Sequence, residues 1–230
     1  AGLLQGDRII KVGERVIAGT KTPQDSMVRM MKGPKGSKVK LTVNRAGENI
    51  PFDIIRDKIP VHCIDAAFMI NDTTAYIKLS KFTRTTYKEF KEAYQNLLSQ
   101  GMKRLLFDLR DNTGGYFDQS LMLSNEFLEK GDGIVYMEGL HRPRQDYDAD
   151  GRGSLKDIAI SVLIDEGTAS SSEIFSGAIQ DNDRGVIVGR RSFGKGLVQE
   201  PINFTDGSGV RVTVARFYTP SGRCIQKPYD

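Results

Sequence analysis

The chain has 230 residues, 39% of them apolar and 27% charged, with a net charge of +4 at pH 7, which is the size and mix of a globular protein with a core able to seat a catalytic group away from water. No apolar run long enough to span a membrane occurs, and the longest basic stretch, Lys32–Lys40, is broken by Gly and Pro with no stacking aromatics behind it, which excludes a nucleic-acid stripe. Two cysteines and two histidines, with no CxxC spacing, leave no metal cluster to expect.

In chain order, residues 1–58 read as a first unit. The opening AGLLQGDRII, without an initiator Met or a leader, reads as the middle of a domain, so a piece of a longer precursor is expected. A strand over 6–12 turns at Gly13-Glu14 into Arg15-Val16-Ile17. Thr22-Pro23-Gln24-Asp25 starts a helix whose stripe is Met27, Val28, Met30 and Met31, and these methionines are expected as core filler. Gly33-Pro34-Lys35-Gly36 stops it, and alternation over 39–45 and 50–56 predicts a strand pair joined at Ala46–Asn49.

From residue 59 onward strands alternate with helices. Strands are expected over 74–82, 104–110, 133–139, 160–167, 185–192 and 210–220, all in one sheet, with helices over 87–101, 120–131 and from about Ser170 to Gln180. Residues 141–153 read as a polar loop or hairpin. The alternation implies a layered α/β domain.

Three segments carry chemistry. In 164–181 a buried strand ends at a Gly-containing elbow that feeds a helix, which puts Ser170 and Ser171 at a helix N-terminus. Unpaired N–H groups and the dipole favour negative charge there, as an acyl-transfer oxyanion requires. Ser170-x-x-Glu173 is equally the form of a capping box. In SFGKGLVQ, residues 192–199, Lys195 lies between two glycines with Phe193, Leu197 and Val198 around it. Those apolar flanks imply a desolvated amine able to act as a base, with Gln199 placed to hold it; the spacing is not that of a phosphate-binding P-loop. In DLRDNTGGY, residues 108–116, a strand runs into glycines that permit close backbone approach, so an N–H of Gly114 or Gly115 could pair with that of Ser171. His62 and His141 occupy no such elbow and are expected on the surface or in packing, which leaves Lys as the better base. Free thiols and a single bridge both fit Cys63 and Cys224.

Taken together, these segments resemble the C-terminal processing peptidases, or tail-specific proteases, a serine peptidase family. DLRDNTGG resembles its D-L-R-x-N-x-G-G turn, EGTASSSEI its G-[ST]-A-S-x-S-E-I segment, and GRRSFGKGLVQ its G-x-x-[ST]-F-G-K-G-x-x-Q segment, and residues 1–58 resemble the later two-thirds of its PDZ domain. The resemblance implies a ClpP/crotonase-like α/β protease core over 59–230 behind a truncated, mainly β PDZ domain. It places the nucleophile on Ser170, the base on Lys195, the orienting amide on Gln199, an oxyanion hole at Ser171 with Gly114 or Gly115, and a supporting acid on Asp181. Ser171-Ser172 stands where many members have Ala-Ser. It implies a Ser/Lys dyad that hydrolyses peptide bonds near protein C-termini with no cofactor or metal, protein or peptide substrates with free C-termini, and an exported, periplasmic or cell-envelope location. With the family's carboxylate loop lying upstream of residue 1, poor binding of free C-termini by this chain is expected. The other readings of the same residues are a catalytically silent PDZ scaffold, which the intact Ser170, Lys195 and Gln199 disfavour, and crotonase-like acyl-CoA chemistry, which leaves Lys195 unexplained.

Overall fold

The computed structural model describes residues 2–57 and 62–228. It contains two compact units, residues 1–61 and 62–230.

In the first unit, β1 (Arg8–Val12), β2 (Arg15–Val16), β3 (Lys38–Arg45) and β4 (Glu48–Ile55) form an antiparallel sheet in the order β2-β1-β3-β4, beside α1 (Gln24–Met31). Alternation along β3 sends Leu41 and Val43 inward, where Leu41 joins Val12 and Ile17. Met27, Met30 and Met31 pack on that cluster, as their helical spacing predicts. Arg56 closes the C-terminal end of α1, its guanidinium donating to the carbonyls of Met31 at 2.7 Å and Met30 at 3.2 Å.

The second unit is a mixed α/β fold around a five-stranded sheet in the order β11-β10-β7-β6-β5. Its strands are β5 (Ile64–Met69), β6 (Thr74–Leu79), β7 (Arg104–Asp108), β10 (Ala159–Ile164) and β11 (Gly185–Gly189). All pairings are parallel except that of β5 with β6. The helices α2 (Thr86–Ser99), α3 (Phe117–Asn125) and α4 (Ser171–Asp181) supply the connections, and the core gathers Ile77, Leu79, Phe90, Leu105, Phe107, Val162 and Phe175. Phe107 and Phe175 meet edge-on with centroids 5.2 Å apart. Because β6, β7 and β10 run parallel, the loops that follow them leave the same edge of the sheet, the side on which open α/β sheets build their sites.

A second, antiparallel sheet has the order β12-β13-β8-β9, from β8 (Gly133–Gly139), β9 (Arg142–Asp148), β12 (Leu197–Asn203) and β13 (Gly209–Tyr218). This corrects the expectation of one sheet. The 133–139 and 210–220 strands pair with each other instead of joining β11, and the polar stretch after His141 resolves as the hairpin partner β9. The alternation signal gives a strand but not its partner. The third helix also begins earlier than expected, at Phe117, because the Tyr116 N–H is fixed to the Phe82 carbonyl at 3.0 Å directly after the two glycines.

Candidate active site

The loop after β10 is stitched into place by two buried side chains. Thr168 Oγ1 accepts the Asp165 N–H at 2.9 Å and donates to the Leu109 carbonyl at 2.9 Å. Asp165 Oδ1 takes the N–H groups of Asp111 at 2.9 Å and Gly167 at 3.0 Å. Burial opposes the charge of Asp165, but these bonds outweigh it and hold its pKa below the usual carboxylate value. The elbow delivers Ser170, half-buried, at φ 57° and ψ −116°. A positive φ is rare outside glycine, and here it sits on the residue in front of the α4 N-terminus.

The loop after β7 lies against this elbow. Asp108 is fully buried and pairs with Arg110 two residues on, at 2.7 Å. Asn112 is also buried. Its amide donates to the Leu79 carbonyl at 2.8 Å and accepts the Gly114 N–H at 2.9 Å. Gly114 backs directly on the serine elbow: a Cβ there would stand 2.8 Å from both Ser170 Cβ and the Ser171 nitrogen. At Gly115, with φ 152°, a Cβ would fall 1.9 Å from the Phe82 carbonyl oxygen, so only glycine fits. Ser171 Oγ donates to the Gly115 carbonyl at 3.1 Å. Gly114 therefore spends its N–H on Asn112, whereas the N–H groups of Gly115 and of Ser171, the first residue of α4, have no acceptor among the described residues.

Lys195 arrives from the loop after β11. Glu173, in the first turn of α4 and only 6% exposed, accepts the Gly194 N–H on Oε1 at 2.6 Å and the Lys195 N–H on Oε2 at 2.8 Å. The same Oε2 accepts the Ser170 N–H at 2.8 Å. Two amide nitrogens each 2.8 Å from one oxygen are at most 5.6 Å (2 × 2.8) apart, so the backbones of Ser170 and Lys195 are neighbours. The Glu173 carboxylate thus supplies its half of the local box at the helix start by taking the Ser170 N–H, and it reaches well beyond it. From the other side, residues 225–227 seat the loop: Lys227 N–H donates to the Gly194 carbonyl at 2.9 Å and Gly196 N–H to Gln226 Oε1 at 3.0 Å. A Cβ on Gly196 would lie 2.4 Å from the Gln226 nitrogen, which is why glycines flank the lysine.

The S41 peptidase family model matches residues 73–229, about two-thirds of the chain and all of the segments just described. The chain belongs to peptidase family S41. It is 36% identical over 228 residues to the carboxy-terminal processing protease CtpA of Bacillus subtilis, covering 99% of this chain and 48% of that protein. It is 37% identical over 235 residues to a carboxy-terminal-processing protease of Bartonella bacilliformis, covering 98% and 52%. The solved photosystem II D1 C-terminal processing protease superposes with a TM-score of 0.65 at 30% identity, over 98% of this chain and 61% of that one. The chain spans about half the length of the curated relatives it matches.

Within this S41 chain the structure departs from the expected surroundings of the lysine. Lys195 and Gln199 are exposed, and Phe193, expected to desolvate the amine, is itself 59% exposed. No hydrogen bond joins Lys195 Nζ to Ser170 or to Gln199 among the described residues; Gln199 lies on β12 at a bulge, opposite Thr213. The glycines serve the approach of residues 225–227 and leave the side chain outside. Asp181 lies at the far end of the 11-residue α4, about 16 Å from Ser170 by helical rise. It accepts the Ser221 N–H at 3.0 Å and hydroxyl at 2.6 Å and pairs with Arg223. Burial works against its charge, but these bonds prevail and lower its pKa. Asp181 thus anchors the segment that continues to residues 225–227. His62 and His141 are exposed, as expected, and both cysteines are free, Cys63 buried and Cys224 exposed.

Proposed function

We propose that this chain carries the catalytic portion of a serine endopeptidase that cleaves near protein C-termini with Ser170 as nucleophile and Lys195 as general base. The supporting observation is the single carboxylate oxygen of Glu173 shared by the Ser170 and Lys195 amides. It keeps two residues 25 positions apart in sequence within side-chain reach of each other. Ser170 Oγ attacks the scissile carbonyl while the neutral amine of Lys195 takes its proton. The N–H groups of Ser171 and Gly115 are the donors for the oxyanion, with the α4 dipole behind them. Lys195 then protonates the leaving amine, and water, activated by the same amine, hydrolyses the acyl-enzyme. For this the exposed lysine side chain must turn toward Ser170 when substrate covers it, with Gln199 as its second partner and Asp181 supporting the C-terminal segment behind the loop.

The first unit is assigned as part of a PDZ domain, supported by its four-stranded antiparallel sheet with one helix. Protein or peptide substrates with free C-termini complete the reading, in keeping with relatives that are carboxy-terminal processing proteases, and an exported, cell-envelope location is proposed with it. The test is turnover of an unfolded protein with an apolar C-terminus, together with fluorophosphonate labelling. Hydrolysis and labelling by the wild type and neither by Ser170→Ala support the proposal; binding without turnover by the wild type returns the silent-scaffold reading.

A further inference from the structure

The rim of the site carries a cation that the reaction does not use. Tyr116 directly follows Gly115, whose N–H is free, and its own N–H is bound to the Phe82 carbonyl at 3.0 Å. This brings Tyr116 beside the loop after β6, where Arg84 stands. Arg84 Nε donates to Tyr116 Oη at 3.0 Å, and its guanidinium carbon lies 5.0 Å from the centre of the Tyr116 ring. Both residues are exposed. The two terminal nitrogens of Arg84 have no acceptor among the described residues, and no carboxylate forms an ion pair with it; Asp118, two residues after Tyr116, acts on it only through space. A guanidinium tethered through Nε to a phenol oxygen and lying near its ring, with its outer fork unused, is pre-organised for a carboxylate, because part of its rotamer freedom is already spent.

We propose that Arg84, braced by Tyr116, is a carboxylate-binding subsite on the rim beside Ser170, which holds either the free C-terminal carboxylate of a peptide substrate or an acidic side chain near its scissile bond. The assignment rests on the site being a peptidase. It runs against the expectation that this chain binds free C-termini poorly, since that expectation looked only to the first unit.

The experiment measures binding by calorimetry to the full chain carrying Ser170→Ala, so that no turnover is needed. Peptides of one apolar sequence are compared: a free acid, its C-terminal amide, and a series of amides with a single Glu at each internal position in turn. An advantage of at least about tenfold for a carboxylate peptide over the neutral amide is expected, the scale of one charge-assisted pair. Adding Arg84→Gln abolishes that advantage, and Arg84→Lys restores part of it. An advantage confined to the free acid assigns the terminal carboxylate; one confined to a Glu position assigns the side chain. Equal binding of all the peptides, or an advantage that survives Arg84→Gln, overturns the subsite. Loss of the advantage in a protein whose wild type hydrolyses nothing keeps the subsite and removes the peptidase assignment instead.

Discussion

Ser170 holds a backbone conformation that its side chain does not favour, at φ 57°, which an ordinary helix cap does not need. Ser170→Ala removes the hydroxyl without changing the backbone. Hydrolysis is expected to vanish while stability falls by about 1 kcal/mol or less, the cost of a lost cap; peptide turnover and thermal unfolding of the pure variant check both. Ser170→Gly is equally inactive but relieves the positive φ, so it is expected to unfold at a higher temperature than Ser170→Ala. Lys195→Arg keeps a positive charge and cannot act as a base near neutral pH, so it is expected to be inactive in the same assay. Glu173→Gln offers one acceptor oxygen where three N–H donors now meet. Its kcat is expected to fall at least about tenfold, from misplacement of the base, with KM and helical content nearly unchanged; a KM effect alone would remove Glu173 from the geometry of the dyad.

Among the elements, much is legible in the residue order itself. The alternation of β3, the amphipathic α2 and the buried strand before Asp108 each follow from local residue order, and the structure contains all three. The approach of the Gly-Gly turn to the Ser170 elbow was legible in kind, because consecutive glycines allow a backbone contact. Its partner was not, because the Phe82 carbonyl that excludes a Cβ at Gly115 comes from another loop. The double use of Glu173 was hidden for the same reason. A capping box is visible in four residues, whereas the bonds to Gly194 and Lys195 close a span of more than twenty. The exposure of Lys195 ran opposite to its apolar neighbours in sequence, since the face a loop presents is set by what packs behind it. Gly115→Ala tests the turn: the backbone must move off the Phe82 oxygen and carry its free N–H away. A fall in kcat of about a hundredfold, the scale of one lost oxyanion donor, is expected in a peptide assay.

Across the whole molecule, the central sheet sets both stability and its dependence on acid. Phe107 is fully buried and touches Phe90 and Phe175 edge-on or tilted. Phe107→Ala is expected to cost about 3–5 kcal/mol, measured by urea unfolding. Asp108, the next residue, has its pKa lowered from 3.8 to about 2: burial would raise it, but Arg110 and Tyr76 hydrogen-bond the charged form and win. A carboxyl with a depressed folded pKa stabilises the fold above its ordinary pKa, and that contribution is lost as pH falls toward the folded value. Unfolding midpoints should therefore drop between about pH 4 and pH 2, and drop less steeply in Asp108→Asn; identical slopes for the two proteins would contradict the assignment.

The seat of the lysine loop also has an order in time. Gly194 and Gly196 are held by residues 226 and 227, which a ribosome adds some thirty positions after the lysine. Every other part of the site, from the glycine turn to the serine elbow and its glutamate, has been made by then. The serine elbow and its glutamate are therefore complete in sequence before the segment that seats the lysine loop has been made. A chain clipped ahead of Gln226 retains the residues of the serine elbow and loses the seat of the lysine loop.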